Sequence, residues 1–400
     1  MTAALKTGTN HLFIPGPTNV PEAVRMAMNV AQQDQRGPEF GTFVLSILRD
    51  LKPIFGTSKA TVMMIPGSGT SAWETSMVNT LSPGDKVLMA RHGQFSTLWA
   101  KMAADLGLDV HLIDVAWGAG CPVNEFARLL GDDREGKIKA VFVTHNETAT
   151  GVTSDVAAVR AALDSAFHDA LLFVDGVSSI GSVPFKMDEW GVDLAVTGSQ
   201  KGLMCPAGLG ILAASEKALA AARSAQLRRS FFSFADLENT AKTGYFPHTP
   251  PTPVLHGLRR ALDRIHAEGL PNVFARHARL AEGVRAGVAA WGLDTCAEHP
   301  SLASNTVTAI RTPKDVDARE VIRIGFERYN TSFGSGLAIL AGKVFRIGHL
   351  GDLNEGMCLT ALAVAELSLA EAGVRLDFGS GVAAAQRVYT ARQSMALAAE

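Results

Sequence analysis

Val174-Asp-Gly-Val-Ser-Ser-Ile-Gly181 and Val192-Asp-Leu-Ala-Val-Thr-Gly-Ser-Gln-Lys-Gly202 are the two segments around which this sequence is organised. Asp175 ends the apolar run Ala170–Val174, whose length and composition are typical of a buried parallel strand. Lys201 follows a second apolar run across three small residues. Because open α/β sheets hold ligands at the carboxyl ends of their strands, we expect this carboxylate and this amine to face one crevice.

A carboxylate and a lysine that face each other in such a crevice suit pyridoxal 5′-phosphate (PLP). Lys201 would form a Schiff base with its aldehyde. Asp175 would keep its pyridine nitrogen protonated, so that the ring can accept electrons. The two residues are therefore the predicted catalytic pair.

A glycine-rich turn, Pro66-Gly-Ser-Gly-Thr70, precedes the helical pattern Ser71–Leu81. Glycines let backbone N–H groups approach an anion, and the start of a helix adds a favourable dipole. Such a turn by itself is more often a simple helix cap. It indicates a phosphate site only in the company of Asp175 and Lys201.

The order of the remaining patterns predicts the fold class. Short apolar runs alternate with helical patterns from Val62 to Ala214, which favours an α/β protein with a mostly parallel sheet and helices on both faces. From Leu255 onward the units are fewer and longer. We therefore predict an N-terminal arm (residues 1–20), a large domain (21–254) and a small C-terminal domain (255–400).

Composition excludes several classes of protein. An apolar share of 47% and a charged share of 19% indicate a globular protein. The 37 basic and 39 acidic residues nearly balance, so neither nucleic acid nor an anionic membrane is expected as a partner. The four scattered cysteines lack the spacing of a metal site. The first ten residues are polar and no apolar run is long enough for a membrane span, so we expect a cytoplasmic protein.

Taken together, the motifs resemble those of the class V, fold-type I, PLP-dependent aminotransferases, and most closely the serine–glyoxylate and alanine–glyoxylate group. The resemblance extends from Phe13 to Asp352. It rests on five motifs: Gly-Ser-Gly-Thr, His-Asn-Glu-Thr-Ala-Thr-Gly, Val-Asp-Gly-Val-Ser-Ser, Gly-Ser-Gln-Lys-Gly and Lys-Val-Phe-Arg-Ile-Gly. It implies the PLP-dependent transferase fold of type I, a homodimer and an active site between the subunits.

The resemblance also assigns site residues. The implied cofactor-binding positions are Ser68, Gly69, Thr70, Phe95, Thr148, Asp175, Val177, Gln200, Lys201 and Thr249. Among these, Ser68, Gly69, Thr70 and Gln200 would cradle the phosphate. Phe95 would stack on the ring, Thr148 would bond its phenolic oxygen, and Thr249 would reach the phosphate from the neighbouring subunit. Gly16 and Arg346 are the implied substrate-binding residues, with the Arg346 fork on the substrate carboxylate.

The implied reaction moves the amino group of a small L-amino acid, with L-serine favoured, to glyoxylate. The products are glycine and the matching keto acid, and the kinetics are ping-pong. L-Aspartate is the alternative donor. The segments Asp34-Gln-Arg36, Leu227-Arg-Arg-Ser-Phe-Phe232 and His248-Thr-Pro-Pro251 differ from those of related chains. Such changes, with Arg36, Arg228, Arg229 and His248 in these segments, could admit a second carboxylate. A cysteine desulfurase-like lyase and a non-catalytic scaffold with the same fold are weaker alternatives.

Overall fold

The computed structural model describes residues 8–397, and the side chains of residues 8–391. The strands are β1 His11–Phe13, β2 Thr61–Gly67, β3 Lys86–Arg91, β4 Asp109–Asp114, β5 Ile138–Thr144, β6 Asn146–Glu147, β7 Val152–Thr153, β8 Leu171–Asp175, β9 Leu194–Gly198, β10 Gly208–Ala214, β11 Val307–Arg311, β12 Thr331–Ser335 and β13 Val344–Gly348. The α-helices are α1 Glu22–Ala27, α2 Pro38–Leu51, α3 Gly69–Thr80, α4 Gln94–Asp105, α5 Val123–Asp132, α6 Val156–Ser165, α7 Glu216–Ala221, α8 Phe234–Thr243, α9 Thr252–Glu268, α10 Leu270–Ala290, α11 Ala318–Tyr329, α12 Glu355–Glu371 and α13 Ser380–Leu397.

Seven strands form the larger sheet, in the order β2-β10-β9-β8-β5-β3-β4. The five strands from β9 to β4 are mutually parallel, whereas β10 runs antiparallel to both of its neighbours. The predicted α/β class is confirmed. The direction of β10 was not predicted, because an apolar run has the same composition in either direction.

The register of the parallel strands brings the sequence motifs together. Asp175, the last residue of β8, pairs with Thr144 at the end of β5 and with Val196 in β9. The turn that carries Lys201 begins after Gly198, where β9 ends. The carboxyl ends of β5, β8 and β9 therefore lie at one edge of the sheet.

Strand β8 shows how the sheet is covered on both faces. Leu172 and Val174 belong to one buried apolar cluster, and Leu171 and Phe173 belong to another. This alternation follows from the two-residue period of a strand. Helices cover both faces, so β8 is apolar throughout and ends in a single acidic residue.

The smaller sheet has four strands in the order β1-β12-β13-β11. Its strand β1 pairs in parallel with β12, which ties the N-terminal segment to the C-terminal part of the chain. Strand β12 was not predicted, since Thr331-Ser-Phe-Gly-Ser335 contains a single apolar residue.

Two long C-terminal helices pack on different parts of the chain. Helix α9 buries Leu255, Leu258 and Leu262 in the same cluster as the apolar face of α2. Helix α13 packs along α10, where the Tyr389 ring fills the space beside Gly283. The division of the chain after residues 20 and 254 stays a prediction. Within the described residues, no helix combines the length and apolar composition that a membrane span requires.

A line of buried aromatic rings supports the edge of the sheet that carries Asp175. Trp73 stacks on Trp99 at 5.7 Å between ring centroids, and Phe142 stacks on Phe173 at 4.4 Å. Trp99 joins the two pairs by meeting Phe142 edge-on at 4.7 Å. The rings pack the helical layer against strands β5 and β8.

Replacement of Phe173 by alanine should lower the free energy of unfolding by roughly 3–5 kcal/mol, because it opens a cavity in this fully buried line of rings. Urea denaturation followed by circular dichroism measures the change. Phe378→Ala is the matched control, since the Phe378 side chain is 68% exposed and should change stability by less than about 0.5 kcal/mol. Equal effects of the two substitutions would contradict the assignment of Phe173 to the core.

Candidate active site

A cavity of about 210 Å³ lies where the ends of β5, β8 and β9 meet the N-terminal segment. Its lining residues are Gly16, Pro17, Gly69, Thr70, Trp73, Phe95, Thr148, Asp175, Val177, Ser178, Gln200 and Lys201. Nine of them are site residues predicted from the sequence. Pro17, Trp73 and Ser178 were not predicted, and Ser68, Thr249 and Arg346 do not line this cavity.

Lys201 is buried at the base of the cavity. Its Nζ donates a hydrogen bond of 2.6 Å to the backbone carbonyl of Pro15. Burial is the main cause that lowers the pKa of Lys201 to about 8, and the nearby Arg346 guanidinium acts in the same direction. Neutral amine is therefore accessible close to neutral pH, as a nucleophile or a general base requires.

The N-terminal segment closes over the lysine. Thr18 donates from its hydroxyl to the carbonyl of Lys201 at 3.2 Å, and from its backbone N–H to the carbonyl of Gln200 at 3.1 Å. A Cβ at Gly16 would lie 2.5 Å from Lys201 Nζ, and the φ of Gly16 is +111°. Close approach and backbone conformation both require glycine at this position.

Asp175 is 4% exposed and accepts a hydrogen bond of 2.8 Å from the Val177 N–H. Burial raises the pKa of Asp175 to about 7 against the opposing effect of that bond. The indole of Trp73 also favours the ionised form, although its N–H makes no hydrogen bond of normal geometry. A cationic partner placed in the cavity would restore the carboxylate to its charged form.

Thr148 and Ser178 form a hydrogen-bonded pair on the cavity wall. The Thr148 hydroxyl donates to Ser178 Oγ at 2.7 Å. Asn146 Nδ2 donates to the same oxygen at 2.8 Å, and Ser178 donates in turn to the Asn146 carbonyl at 2.9 Å. Ser178 therefore fixes the Thr148 hydroxyl. Ser178 could have been identified from the sequence by its position in the Val-Asp-Gly-Val-Ser-Ser motif.

The start of α3 forms one end of the cavity. Ser68 precedes the helix, and Ser71 closes its first turn through bonds of 3.0 Å from the Ser68 N–H and 2.7 Å to the Ser68 carbonyl. The first-turn N–H groups of a helix lack intrahelical acceptors and attract anions. Gln200 also lines the cavity, and the NH₂ group of its amide can donate to an anion. The helix N–H groups and this amide are donors of the kind that an anion cradle needs.

Arg346 lies on β13, just behind Thr148. Its Nη1 donates to the Thr148 carbonyl and its Nε to the Ser335 carbonyl, both at 2.9 Å. Burial lowers the pKa of Arg346 to about 10, so the guanidinium stays charged at neutral pH. Nη2 makes no hydrogen bond within the described part of the chain.

Comparison with known proteins assigns the chain to a family. Residues 24–328 match the family model described as aminotransferase class-V. The chain belongs to this family. It is 56% identical to the serine–glyoxylate aminotransferase of Hyphomicrobium methylovorum, over 96% of this chain and 95% of that protein. It is 52% identical to the L-aspartate–glyoxylate aminotransferase of Paracoccus denitrificans, over 98% of each.

Solved structures agree with this assignment. The pyridoxamine–pyruvate aminotransferase of Mesorhizobium loti superimposes with a TM-score of 0.91 at 29% identity, over 97% of this chain and 99% of that one. The ureidoglycine–glyoxylate aminotransferase of Bacillus subtilis gives 0.89 at 26% identity, over 97% and 100%. The predicted family, fold type I and transaminase class are confirmed. The family depends on PLP and acts on small amino and keto acids.

Thr249, Tyr245 and Arg229 lie outside the cavity of the aminotransferase, and Tyr245 was not predicted as a site residue. Thr249 is exposed and accepts a hydrogen bond of 3.3 Å from Gln35. Tyr245 donates to the Gly37 carbonyl at 3.3 Å and does not line the cavity. Arg229 donates to four backbone carbonyls, one in α3 and three in the segment that follows α7, so its guanidinium joins these two parts of the fold.

The cysteines of this aminotransferase give the desulfurase alternative no support. Cys205, Cys296 and Cys358 are buried, and burial raises their pKa to about 12, 11 and 12 respectively. A desulfurase needs an accessible thiolate. Within the described residues, no cysteine lines the cavity and no group of three or more His, Cys, Asp or Glu could hold a metal ion.

The lowered pKa of Lys201 predicts an unusual reactivity in the cofactor-free chain. An amine with a pKa of about 8 is mostly neutral above that pH, whereas an exposed lysine titrates near pH 10.4. Acylation by a small amine-selective reagent should therefore rise with a midpoint about two pH units lower at Lys201 than at surface lysines. Peptide mass spectrometry across pH 6–11 measures this, with exposed Lys101 as the internal control. Equal midpoints would contradict the buried environment.

Proposed function

We propose that this chain transfers the amino group of L-serine to glyoxylate, giving glycine and the keto acid of serine. The observation that carries the proposal is the cavity in which Lys201 and Asp175 converge beside Arg346. The 56% identity to a serine–glyoxylate aminotransferase over nearly the whole chain supports the choice of substrates. A second serine–glyoxylate aminotransferase, from Methylorubrum extorquens, is 54% identical over 96% of this chain and 97% of that protein.

The proposal includes PLP as the cofactor, and the site fits this group. Gln200 lines the cavity, and the NH₂ group of its amide can donate to a phosphate oxygen. A Cβ at Gly69 would lie 2.4 Å from Val177, so glycine lets the start of α3 come close to the cavity. Lys201 suits the aldehyde of PLP, and Asp175 suits its ring nitrogen. When bound, PLP supplies a ring that accepts electrons from the amino acid.

Lys201, Asp175 and Arg346 have different roles in the proposed reaction. The Lys201 amine takes and returns the α-proton of the substrate as a general acid and base. The carboxylate of Asp175 would hold the ring nitrogen of PLP in its protonated form. Arg346 orients each substrate through the carboxylate next to its reacting carbon. Donor and acceptor both have that carboxylate, so one pocket can bind them in turn, which gives ping-pong kinetics.

We further infer that the active enzyme is a homodimer in which Thr249 of one subunit reaches the phosphate of the other. Its support is the position of Thr249, which is exposed and outside the cavity of its own subunit. His248, next to Thr249, stacks on Phe231 at 4.4 Å between ring centroids, which holds this loop against the segment before α8.

Replacement of Lys201 by alanine should remove the visible absorption of the protein-bound imine and lower kcat by at least about 10²–10⁴-fold, because it removes both the attachment point and the proton carrier. Absorption spectra and glycine formation from serine and glyoxylate measure the two effects. Lys186→Ala is the control, since Lys186 is exposed and pairs only with Glu189. Substantial turnover by the Lys201 variant would overturn the proposed site.

Aspartate is the second candidate donor. The relative from Paracoccus denitrificans, named for aspartate, is nearly as similar as the first relative named for serine. Arg36 and Arg228 are exposed, and their side chains make no hydrogen bond or ion pair within the described residues. Either could serve a second carboxylate in an assembled dimer, whereas Arg229 is occupied by backbone carbonyls.

A panel of serine, alanine and aspartate with glyoxylate separates the two donors. We expect kcat/KM to be at least about tenfold higher for serine than for aspartate, which corresponds to about 1.4 kcal/mol of differential binding in the transition state. If aspartate is preferred instead, Arg36→Ala or Arg228→Ala should lower its kcat/KM and leave that of serine unchanged. Mass analysis of the keto acid identifies the donor in each case.

A further inference from the structure

Glu147 is a fully buried carboxylate beside the cavity, at the end of the short strand β6. Its Oε2 accepts hydrogen bonds from the backbone N–H groups of Phe95 at 3.1 Å and Ser96 at 2.9 Å. Its Oε1 accepts a third, from the N–H of Ala149, at 3.1 Å. Burial of a carboxylate costs free energy unless the group is hydrogen-bonded. These three donors offset that cost for Glu147.

Two of the three donors belong to the first turn of α4. This turn has no intrahelical acceptors for its N–H groups, and a negative charge at a helix N-terminus is favourable. Glu147 therefore fixes the start of α4. Phe95, in that turn, lines the cavity. The third donor, Ala149, follows Thr148 directly, so the same carboxylate ties the start of α4 to the opposite wall.

Gly93 gives independent evidence that the sequence accommodates the contact between Glu147 and the start of α4. A Cβ at this position would lie 2.1 Å from Glu147 Cγ and 2.2 Å from its carboxyl carbon. The φ of Gly93 is 179°, an extended conformation open to any residue. Space for Glu147 is thus the reason for glycine at the start of α4.

We propose that Glu147 is a positioning residue that holds Phe95 against the cofactor ring by fixing the first turn of α4. Glu147 does not line the cavity, and it affects the site through Phe95 and through its charge, which contributes to the raised pKa of Asp175. The inference rests on the PLP site of the proposed function. It does not depend on which amino acid is the donor.

Binding of PLP to the cofactor-free protein tests the role without turnover. Glu147→Gln keeps the shape of the side chain but turns an NH₂ group toward backbone N–H donors. We expect the dissociation constant for PLP to rise about tenfold and the visible circular dichroism of the bound cofactor to decrease. If Glu147→Gln does not fold, Glu147→Asp provides the same comparison with the charge kept and the side chain shortened.

A double-mutant cycle with Phe95→Leu separates positioning from a general structural effect. Phe95→Leu alone should weaken PLP binding by about tenfold, through loss of an aromatic contact. If Glu147 acts through Phe95, the double variant should bind PLP no more than about twofold more weakly than Phe95→Leu. Independent effects that multiply to about a hundredfold would overturn the proposal.

Glu366 offers a matched control far from the cavity. It is also a buried carboxylate, and it accepts hydrogen bonds from the Gly379 and Gly381 N–H groups at 2.7 and 2.8 Å and from the Trp291 indole at 2.9 Å. Glu366→Gln should lower Tm as Glu147→Gln does, but should leave the dissociation constant for PLP within about twofold.

Measurement of serine turnover alongside PLP binding distinguishes failure of the proposed function from failure of the proposed role of Glu147. If Glu147→Gln loses thermal stability but binds PLP with the wild-type dissociation constant and circular dichroism, Glu147 is only a structural residue and the inference fails while the proposed function stands. If wild-type protein binds PLP but does not turn over serine, the proposed function fails, and the change in PLP binding still decides the role of Glu147. If wild-type protein does not bind PLP, both fail.

Discussion

Burial of an amine and a carboxylate at the same edge of a sheet is the constraint on which the rest of the structure depends. Burial shifts the pKa of Lys201 to about 8 and that of Asp175 to about 7, so burial disfavours the charged form of both groups. Each group consequently has a backbone partner: the carbonyl of Pro15 for the amine and the N–H of Val177 for the carboxylate. The parallel strands provide the placement, since their carboxyl ends share an edge.

The N-terminal segment and the smaller sheet complete the cavity from outside the larger sheet. Strand β1 pairs with β12, and the chain then runs past Pro15 and Thr18, which bond to the lysine and its turn. Arg346 extends from β13 of the same small sheet to the Thr148 carbonyl. The two contacts hold the small sheet against the cavity. The Lys201 amine and the Arg346 guanidinium therefore keep a fixed distance and orientation. Both groups must act on the same substrate molecule, so the reaction requires this arrangement.

Much of the site could be predicted because its residues occupy short motifs at the ends of apolar runs. Asp175, Lys201 and the glycine turn before α3 are of this kind. Trp73 could not be predicted, since a tryptophan on a helix next to apolar residues is indistinguishable in sequence from an ordinary core residue. Arg229 was predicted as a possible carboxylate ligand, but its guanidinium binds backbone carbonyls. Those carbonyl partners are set by packing, which a sequence pattern does not contain.

The amino-acid sequence by itself determined the α/β class, the family and the pair Lys201 and Asp175, because strand periodicity and local motifs depend only on neighbours along the chain. Tertiary structure alone decided the antiparallel direction of β10, the strand β12 and the support that Glu147 gives to α4. These features join residues far apart in the chain. Their free energy comes from burial and hydrogen bonds that exist only once the chain is folded.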